Sequence, residues 1–133
     1  MMRIPEEKEQ NVFGLLGLAR RARAITIGMD ATLAALTKAT VKTILVANDI
    51  GKNSLKRISK NIDTLETDMN LEKGSIPLIA FSDAEQLGRI LNKETVSIIG
   101  IIDEGFAQGI LLSLIHISEP TRREWLSRMP SSA

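Results

Sequence analysis

Val41-Lys42-Thr43-Ile44-Leu45-Val46-Ala47 is a short apolar run interrupted by Lys42 and Thr43, and its reading decides the fold. It is too short for an ordinary helix and rich in β-branched residues, so it reads as a strand. Without a polar/apolar alternation, that strand is buried on both faces. Upstream, residues 11–23 place Val12, Leu15, Leu16 and Ala19 at helical spacing, and Gly14 and Gly17 permit close packing on a sheet. Ile25-Thr26-Ile27 is a β-branched strand, Gly28 follows, and a helix rich in Ala and Leu runs over residues 30–39.

Downstream, Asn53 or Ser54 caps a third helix, in which Leu55, Ile58, Ile62 and Leu65 form an apolar stripe among basic residues. Residues 63–74 are acidic and polar and read as a loop or frayed helix end. Residues 76–81 form the next strand, with Pro77 at its start or edge because proline cannot donate to a ladder. Ser82 and Glu85 have the spacing of a capping box, ahead of a fourth helix carried by Leu87, Ile90 and Leu91. Asn92-Lys93-Glu94 is a turn, residues 95–102 are a strongly apolar strand, and Asp103 caps a last helix. Strands alternating with helices give the α/β class: a three-layer α/β/α sandwich around a small four-stranded mixed sheet.

The 133 residues fit one domain, and the hydrophobic fraction of 44% with 25% charged residues suits a soluble core-forming chain. With no cysteine there is no disulfide, thiolate metal site or thiol nucleophile, which suits a cytoplasmic protein. The polar start Met1-Met2-Arg3-Ile4-Pro5-Glu6-Glu7 lacks the layout of a signal peptide, and no apolar run is long enough for a membrane helix, so no membrane partner is expected.

The C-terminal stretch has a different origin. Residues 112–122, Leu-Ser-Leu-Ile-His-Ile-Ser-Glu-Pro-Thr-Arg, back-translate into a common transposase-based sequencing adapter. Residues 127–133 match the distal end of the same adapter in the same frame, and residues 123–126 fall where a variable index sits. Residues 1–111 are therefore read as the domain and 112–133 as a non-native tail, which implies a truncated natural C-terminus. Setting the tail aside removes the only histidine, His116, and the only tryptophan, Trp125. It also removes Arg122, Arg123 and Arg128 against Glu119 and Glu124, which leaves the 17 basic and 16 acidic residues of the chain balanced in number.

That balance is uneven along the chain. Residues 20–60 carry Arg20, Arg21, Arg23, Lys38, Lys42, Lys52, Lys56, Arg57 and Lys60 against Asp30 and Asp49, while residues 61–111 are mostly acidic. Such asymmetry suggests a face made for a polyanion. Catalytic signatures are absent: there is no phosphate loop, no dinucleotide fingerprint and, without histidine, no Ser/His/Asp triad. Asp103 and Glu104 suit helix capping and Asp49 suits a turn, so no catalytic residue, metal site or cofactor is expected. Phe13, Phe81 and Phe106 all lie in apolar patterns, which leaves no stacking platform for bases. Nucleic-acid contact would then use backbone amides, helix N-termini and basic side chains. Gly28 before a helix fits a phosphate site, and equally fits a plain strand-to-helix turn.

Leu15-Leu16-Gly17-Leu18-Ala19-Arg20-Arg21-Ala22, Gly28, Ile44-Leu45-Val46-Ala47-Asn48-Asp49, Lys52-Asn53 and Leu55-Lys56-Arg57-Ile58 together resemble the bacterial YlxQ-like branch of the ribosomal L-seven-Ae superfamily. Leu87-Gly88, Lys93-Glu94 and Asp103-Glu104-Gly105-Phe106-Ala107 extend the resemblance over residues 11–111. It implies the three-layer fold and binding of kink-turn RNA at the glycine, the following helix start and the loop before the last strand. By position these are Gly28, Asp30, Ala31, Ala34, Lys38 and the turn with Lys93 and Glu94. The basic stretch adds Arg20, Arg21, Lys52, Asn53 and Lys56 to the expected RNA-binding residues. Two departures are plain. Ala31 and Ala34 stand where the archaeal branch offers polar side chains, and Arg23-Ala24 replaces a usual Gly-Lys.

The expectation is a monomeric, cytoplasmic, non-catalytic protein, associated with ribosomes or translation and partnered by structured RNA. The alternative is a protein-interaction module on the same fold with a degenerate RNA site. Re-sequencing the source locus is expected to give a different coding sequence after Leu111. Recovery of the same tail in genomic DNA would end the adapter reading.

Overall fold

In chain order the elements are β1 (Met2–Arg3), α1 (Glu6–Arg21), β2 (Ile25–Ile27), α2 (Met29–Thr37), β3 (Thr43–Val46), α3 (Lys52–Asp68), β4 (Leu78–Ala80), α4 (Ala84–Ile90), β5 (Ile98–Ile101) and α5 (Glu104–Ile117). The structure, a computed structural model, describes residues 2–3, 6–72 and 74–117. The last helix crosses residue 111. Residues 118–133, the larger part of the stretch read as adapter, lie outside the described residues.

The apolar run becomes β3, the middle strand of a sheet ordered β1-β4-β3-β5-β2, and all four of its residues are buried. β3 pairs in parallel with β4, and β5 runs antiparallel to both β3 and β2, so the expected mixed sheet forms. The two-residue β1, parallel to β4, adds a short outer strand beyond the four anticipated. Alternate β3 side chains point to opposite layers, as the pleat requires. Leu45 meets α1, α4 and α5 through Val12, Leu16, Leu87 and Ile110, while Ile44 and Val46 meet α2 and α3 through Leu36, Ile58 and Ile62. The phenylalanines are core: Phe81 is fully buried, its ring 5.0 Å from that of Phe13, and Phe106 packs on the same cluster.

Several local boundaries differ from the sequence expectation. The first helix starts five residues earlier, at Glu6, and ends at Arg21. The third begins at Lys52 behind Gly51, so neither Asn53 nor Ser54 is its cap. It also continues through the acidic stretch to Asp68. Glu66 makes this possible: it is buried, and its Oε2 accepts from the backbone N–H of Gly74 (3.1 Å) and Ile76 (3.0 Å). A charged residue thus serves as an internal acceptor that satisfies two backbone donors. Asp83, rather than Ser82, caps α4 by accepting from Gln86 N at 2.8 Å, while Ser82 donates to Gln86 Oε1. Asp103 does cap α5, accepting from Phe106 N at 3.0 Å.

The helices α1 to α4 all close with the same bond pattern, in which the last amide reaches back five residues: Ala24 to Ala19, Thr40 to Ala35, Leu71 to Glu66 and Lys93 to Gly88. This motif needs a left-handed residue just past the helix, and Arg23, Ala39, Asn70 and Asn92 hold φ of 57° to 58° there.

Gly100 fixes the distance between α2 and the sheet. It lies in β5 beneath the hydroxyl pair of Thr26 and the fully buried Thr32, which are 2.9 Å apart. A Cβ at residue 100 would fall 2.5 Å from Thr26 Oγ1 and 3.3 Å from Thr32 Cγ2. Gly100→Ala is therefore expected to destabilise the protein by about 1–3 kcal/mol through overpacking. In a Thr26→Ala background the same change should cost measurably less. Urea denaturation of the four proteins in this cycle checks it, and equal costs in both backgrounds would contradict the contact.

Candidate nucleic-acid interface

Strand direction sorts the expected contact residues to two opposite edges of the sheet. β2, β3 and β4 point the same way, so the segments that leave them share one edge with the start of the reversed β5. Gly28 N–H donates to Ile98 O at 2.9 Å, and Ala47 N–H donates to Ser97 O at 2.9 Å. Gly28 and Ala47 thus flank the start of β5, two strand spacings or roughly 10 Å apart. This carboxyl edge carries the N-termini of α2, α3 and α4, the position at which α/β sheets place ligands.

The three helix starts are not equivalent. The α4 start is occupied by carboxylates: Asp83 accepts from Gln86 N, and Asp49 Oδ1 accepts from Ala84 N at 3.0 Å. The starts of α2 and α3 sit behind Gly28 and Gly51 and have no side-chain cap. Their first N–H groups therefore keep their donor capacity, and the helix dipole adds partial positive charge.

Gly28 has φ 94° and ψ 166°, a combination essentially confined to glycine. It turns the chain sharply from β2 into α2 while its carbonyl accepts from Thr32 N. Behind it, Asp30, Ala31 and Ala34 lie exposed on α2, opposite the buried Thr32, Ala35 and Leu36. Gly51, by contrast, has an ordinary extended conformation, φ −66° and ψ 150°.

α3 carries its charges against its own dipole. There is no acidic residue in its first turn and no basic residue in its last. Instead Lys52 and Lys56, followed by Arg57 and Lys60, occupy the N-terminal half, and Asp63 and Asp68 lie toward the end. Cations at a helix N-terminus are disfavoured by a few tenths of a kcal/mol each, roughly. Stability alone does not favour this order; an anion at the helix start would. Lys52, Leu55, Lys56, Ser59, Lys60 and Asp63 line a shallow groove of about 550 Å³ along this face. Among the described residues the sole ion pair is Arg89–Glu85, so these lysines have no carboxylate partner within 4 Å there.

Lys93 and Glu94 lie on the strap from α4 to β5. Lys93 N donates to Gly88 O at 2.7 Å, and a Cβ at Gly88 would fall 2.5 Å from the Glu94 carbonyl, so the strap lies directly on α4. Its later part is held at the carboxyl edge by Val96 N to Ala84 O. Gly28, Asp30, Lys52 and Asn53 thus share this edge, with Lys56 one turn along α3 and Lys93 and Glu94 on the strap leading to it. Arg20, Arg21 and Lys38 do not share it. They end α1 and α2, at the opposite amino edge. Gly51 was missed because Asn53 and Ser54 offered better capping chemistry; an open cap without a polar side chain leaves no mark in sequence.

The profile of the ribosomal protein L7Ae/L30e/S12e/Gadd45 family matches residues 10–110. The chain is 27% identical over 99 residues to the RNA-binding protein YlxQ of Bacillus subtilis, covering 74% of this chain and 90% of that one. It is 26% identical over 103 residues to the RNA-binding protein YlxQ of Enterococcus faecium, covering 77% and 90%. A protein of unknown function from Bacillus halodurans superposes with TM-score 0.64 at 23% identity, covering 77% of this chain and 94% of that one. The 15.5kD RNA binding protein of Giardia lamblia does so with TM-score 0.59 at 14% identity, covering 87% and 92%. These two likenesses show the fold.

Gly28→Ala is expected to lower stability by about 1–3 kcal/mol, because alanine must enter a glycine-only conformation. Gly51→Ala, which fits its φ and ψ, should cost about 1 kcal/mol or less. Denaturant titration of both variants checks the difference, and equal losses would contradict the geometry at Gly28.

Proposed function

We propose that this chain, which belongs to the ribosomal protein L7Ae/L30e/S12e/Gadd45 family, is a non-catalytic RNA-binding protein that engages a structured, kink-turn-like RNA at its carboxyl edge. The observation that carries this reading is the pair of uncapped helix starts at Gly28 and Gly51, set beside an α4 start already filled by Asp49 and Asp83. Uncapped amides take phosphate oxygens, and Lys52 and Lys56 continue the positive surface along α3. Asp30 is exposed in the first turn of α2, and in this reading its carboxylate accepts from a base amino group. Lys93, Glu94 and Asn53 complete the contact set. Both curated relatives carry RNA binding in their names, which points to the same non-enzymatic class. Association with ribosomes or translation, a cytoplasmic location and a monomeric state complete the proposal.

Ala31 and Ala34 narrow it. Two exposed alanines beside Gly28 give α2 a flat, small face without side-chain donors. Recognition at this helix therefore rests on shape, backbone amides and the Asp30 carboxylate. The same feature is what a protein-interaction module with a lost RNA site would show.

Titration of a labelled kink-turn RNA and a straight duplex, at several salt concentrations, separates the readings. The kink-turn RNA is expected to bind at least roughly tenfold more tightly. Its log affinity should fall linearly with log salt, with a slope of roughly −0.7 to −0.9 per phosphate neutralised. Lys52→Ala with Lys56→Ala should flatten that slope by between one and two units, approximately. Equal affinity for both RNAs would reduce the site to a generic basic surface. Binding to neither would favour the interaction module.

A further inference from the structure

The residues left over by the carboxyl edge form a surface of their own. Arg20 and Arg21 end α1, Arg23 follows in the turn, Lys38 closes α2 and Lys42 precedes β3, and all five are exposed. The register brings two of these segments, those before β2 and β3, to one edge beside the end of β5. Ile25 and Thr43 both pair with Ile101, Ala24 O accepts from Ile102 N, and Lys42 N donates to Ile101 O. Arg23 and Lys42 therefore leave the sheet about two strand spacings, roughly 10 Å, apart. The acidic neighbours at this edge include Asp103, whose carboxylate caps α5, Glu104, and Asp68, which ends α3 and lines a pocket with Leu36 and Thr37 beside Lys38. Among the described residues none of the three forms an ion pair with the five cations.

The helix dipole accounts for Arg20, Arg21 and Lys38, which lie at helix C-termini. It does not account for Arg23 or Lys42, which lie outside the helices. Arg23 also occupies a left-handed position, φ 57°, that glycine fills at lower cost. From Ala24, next to Arg23, to Gly28 the chain runs four residues along the β2 direction, or roughly 13 Å. That exceeds the screening length of roughly 8 Å at physiological salt, so the two edges act as separate electrostatic surfaces.

We propose that the amino edge, formed by Arg20, Arg21, Arg23, Lys38 and Lys42, is a second phosphate-binding surface that holds a separate RNA segment while the carboxyl edge holds the first. The protein is then a bridge between two RNA elements. This rests on the reading of the carboxyl edge as an RNA site, and the test keeps the two apart.

The full chain is saturated with a short kink-turn RNA and then titrated with a labelled straight RNA duplex, with ternary complexes read by gel shift. Three proteins are compared: the unmodified chain, an amino-edge variant (Arg21→Ala, Arg23→Gly, Lys42→Ala) and a carboxyl-edge variant (Lys52→Ala, Lys56→Ala). The unmodified chain is expected to form the ternary complex. The amino-edge variant should keep its kink-turn affinity within about twofold yet lose duplex binding about tenfold or more, its duplex salt slope falling by roughly two to three units. The carboxyl-edge variant should show the reverse.

Arg23→Gly alone gives a sharper readout. It relieves the left-handed strain, so it should raise the melting temperature while weakening duplex binding. A higher melting temperature with unchanged duplex binding would leave Arg23 a purely structural residue and overturn its part. Kink-turn binding without a ternary complex would overturn the second surface alone. Duplex binding that depends on the amino edge, without kink-turn binding, would overturn the first site's specificity and uphold the second. Loss of kink-turn affinity in both variants alike would make the surface one continuous site, and binding of neither RNA would end both proposals.

Discussion

A missing side chain at Gly100 governs where the rest of the molecule can go. β5 runs backward between β2 and β3, and at its centre a bare Cα lets Thr26 and Thr32 meet by their hydroxyls. That contact seats α2 on the sheet. Two residues earlier in β5, Ile98 offers its carbonyl to Gly28, and one residue before that Ser97 does the same for Ala47. One reversed strand therefore sets the height of α2, the exit of β2 and the exit of β3. The openings of α2 and α3 inherit their positions from it.

The layers were readable because they rest on burial. The run at Val41–Ala47, the β-branched Ile25–Ile27 and the stripe Leu55, Ile58, Ile62 and Leu65 each obey one period, and each takes its place in the sheet or a helix layer. What was not readable depends on partners distant in sequence. Glu66 looks like a solvent residue until Gly74 and Ile76 turn their amides toward it. Asp83 displaces Ser82 as the cap because Ser82 adopts φ 58° and turns its hydroxyl to Gln86. The basic stretch reads as one cluster along the chain, yet strand direction divides it between two edges. Charge in sequence carries no record of which end of a strand it will occupy.

Electrostatics and capping together give the carboxyl edge its character. Four neighbouring segments meet there, and the chain has supplied carboxylate caps to one helix start and no side-chain cap to the other two, with Asp30 exposed in the first turn of α2. Asp49 and Asp83 close α4, while α3 takes lysines where stability would favour carboxylates. A site formed from backbone donors and flexible cations suits a phosphate backbone of fixed shape more than a small ligand. It also tolerates Ala31 and Ala34, since the amides do not depend on side chains. Among the described residues the three phenylalanine rings lie in the core, which leaves shape and charge as the means of recognition there.

On the proposed function, the open starts of α2 and α3 receive the RNA. The most direct measurement is an amide NMR titration of the full chain with a kink-turn RNA. The expected result is that the largest shifts fall on residues 28–31 and 51–54, with little change at residues 84–86, where Asp49 and Asp83 already hold the amides. Shifts centred on residues 84–86, or none at residues 28–31, would contradict the account.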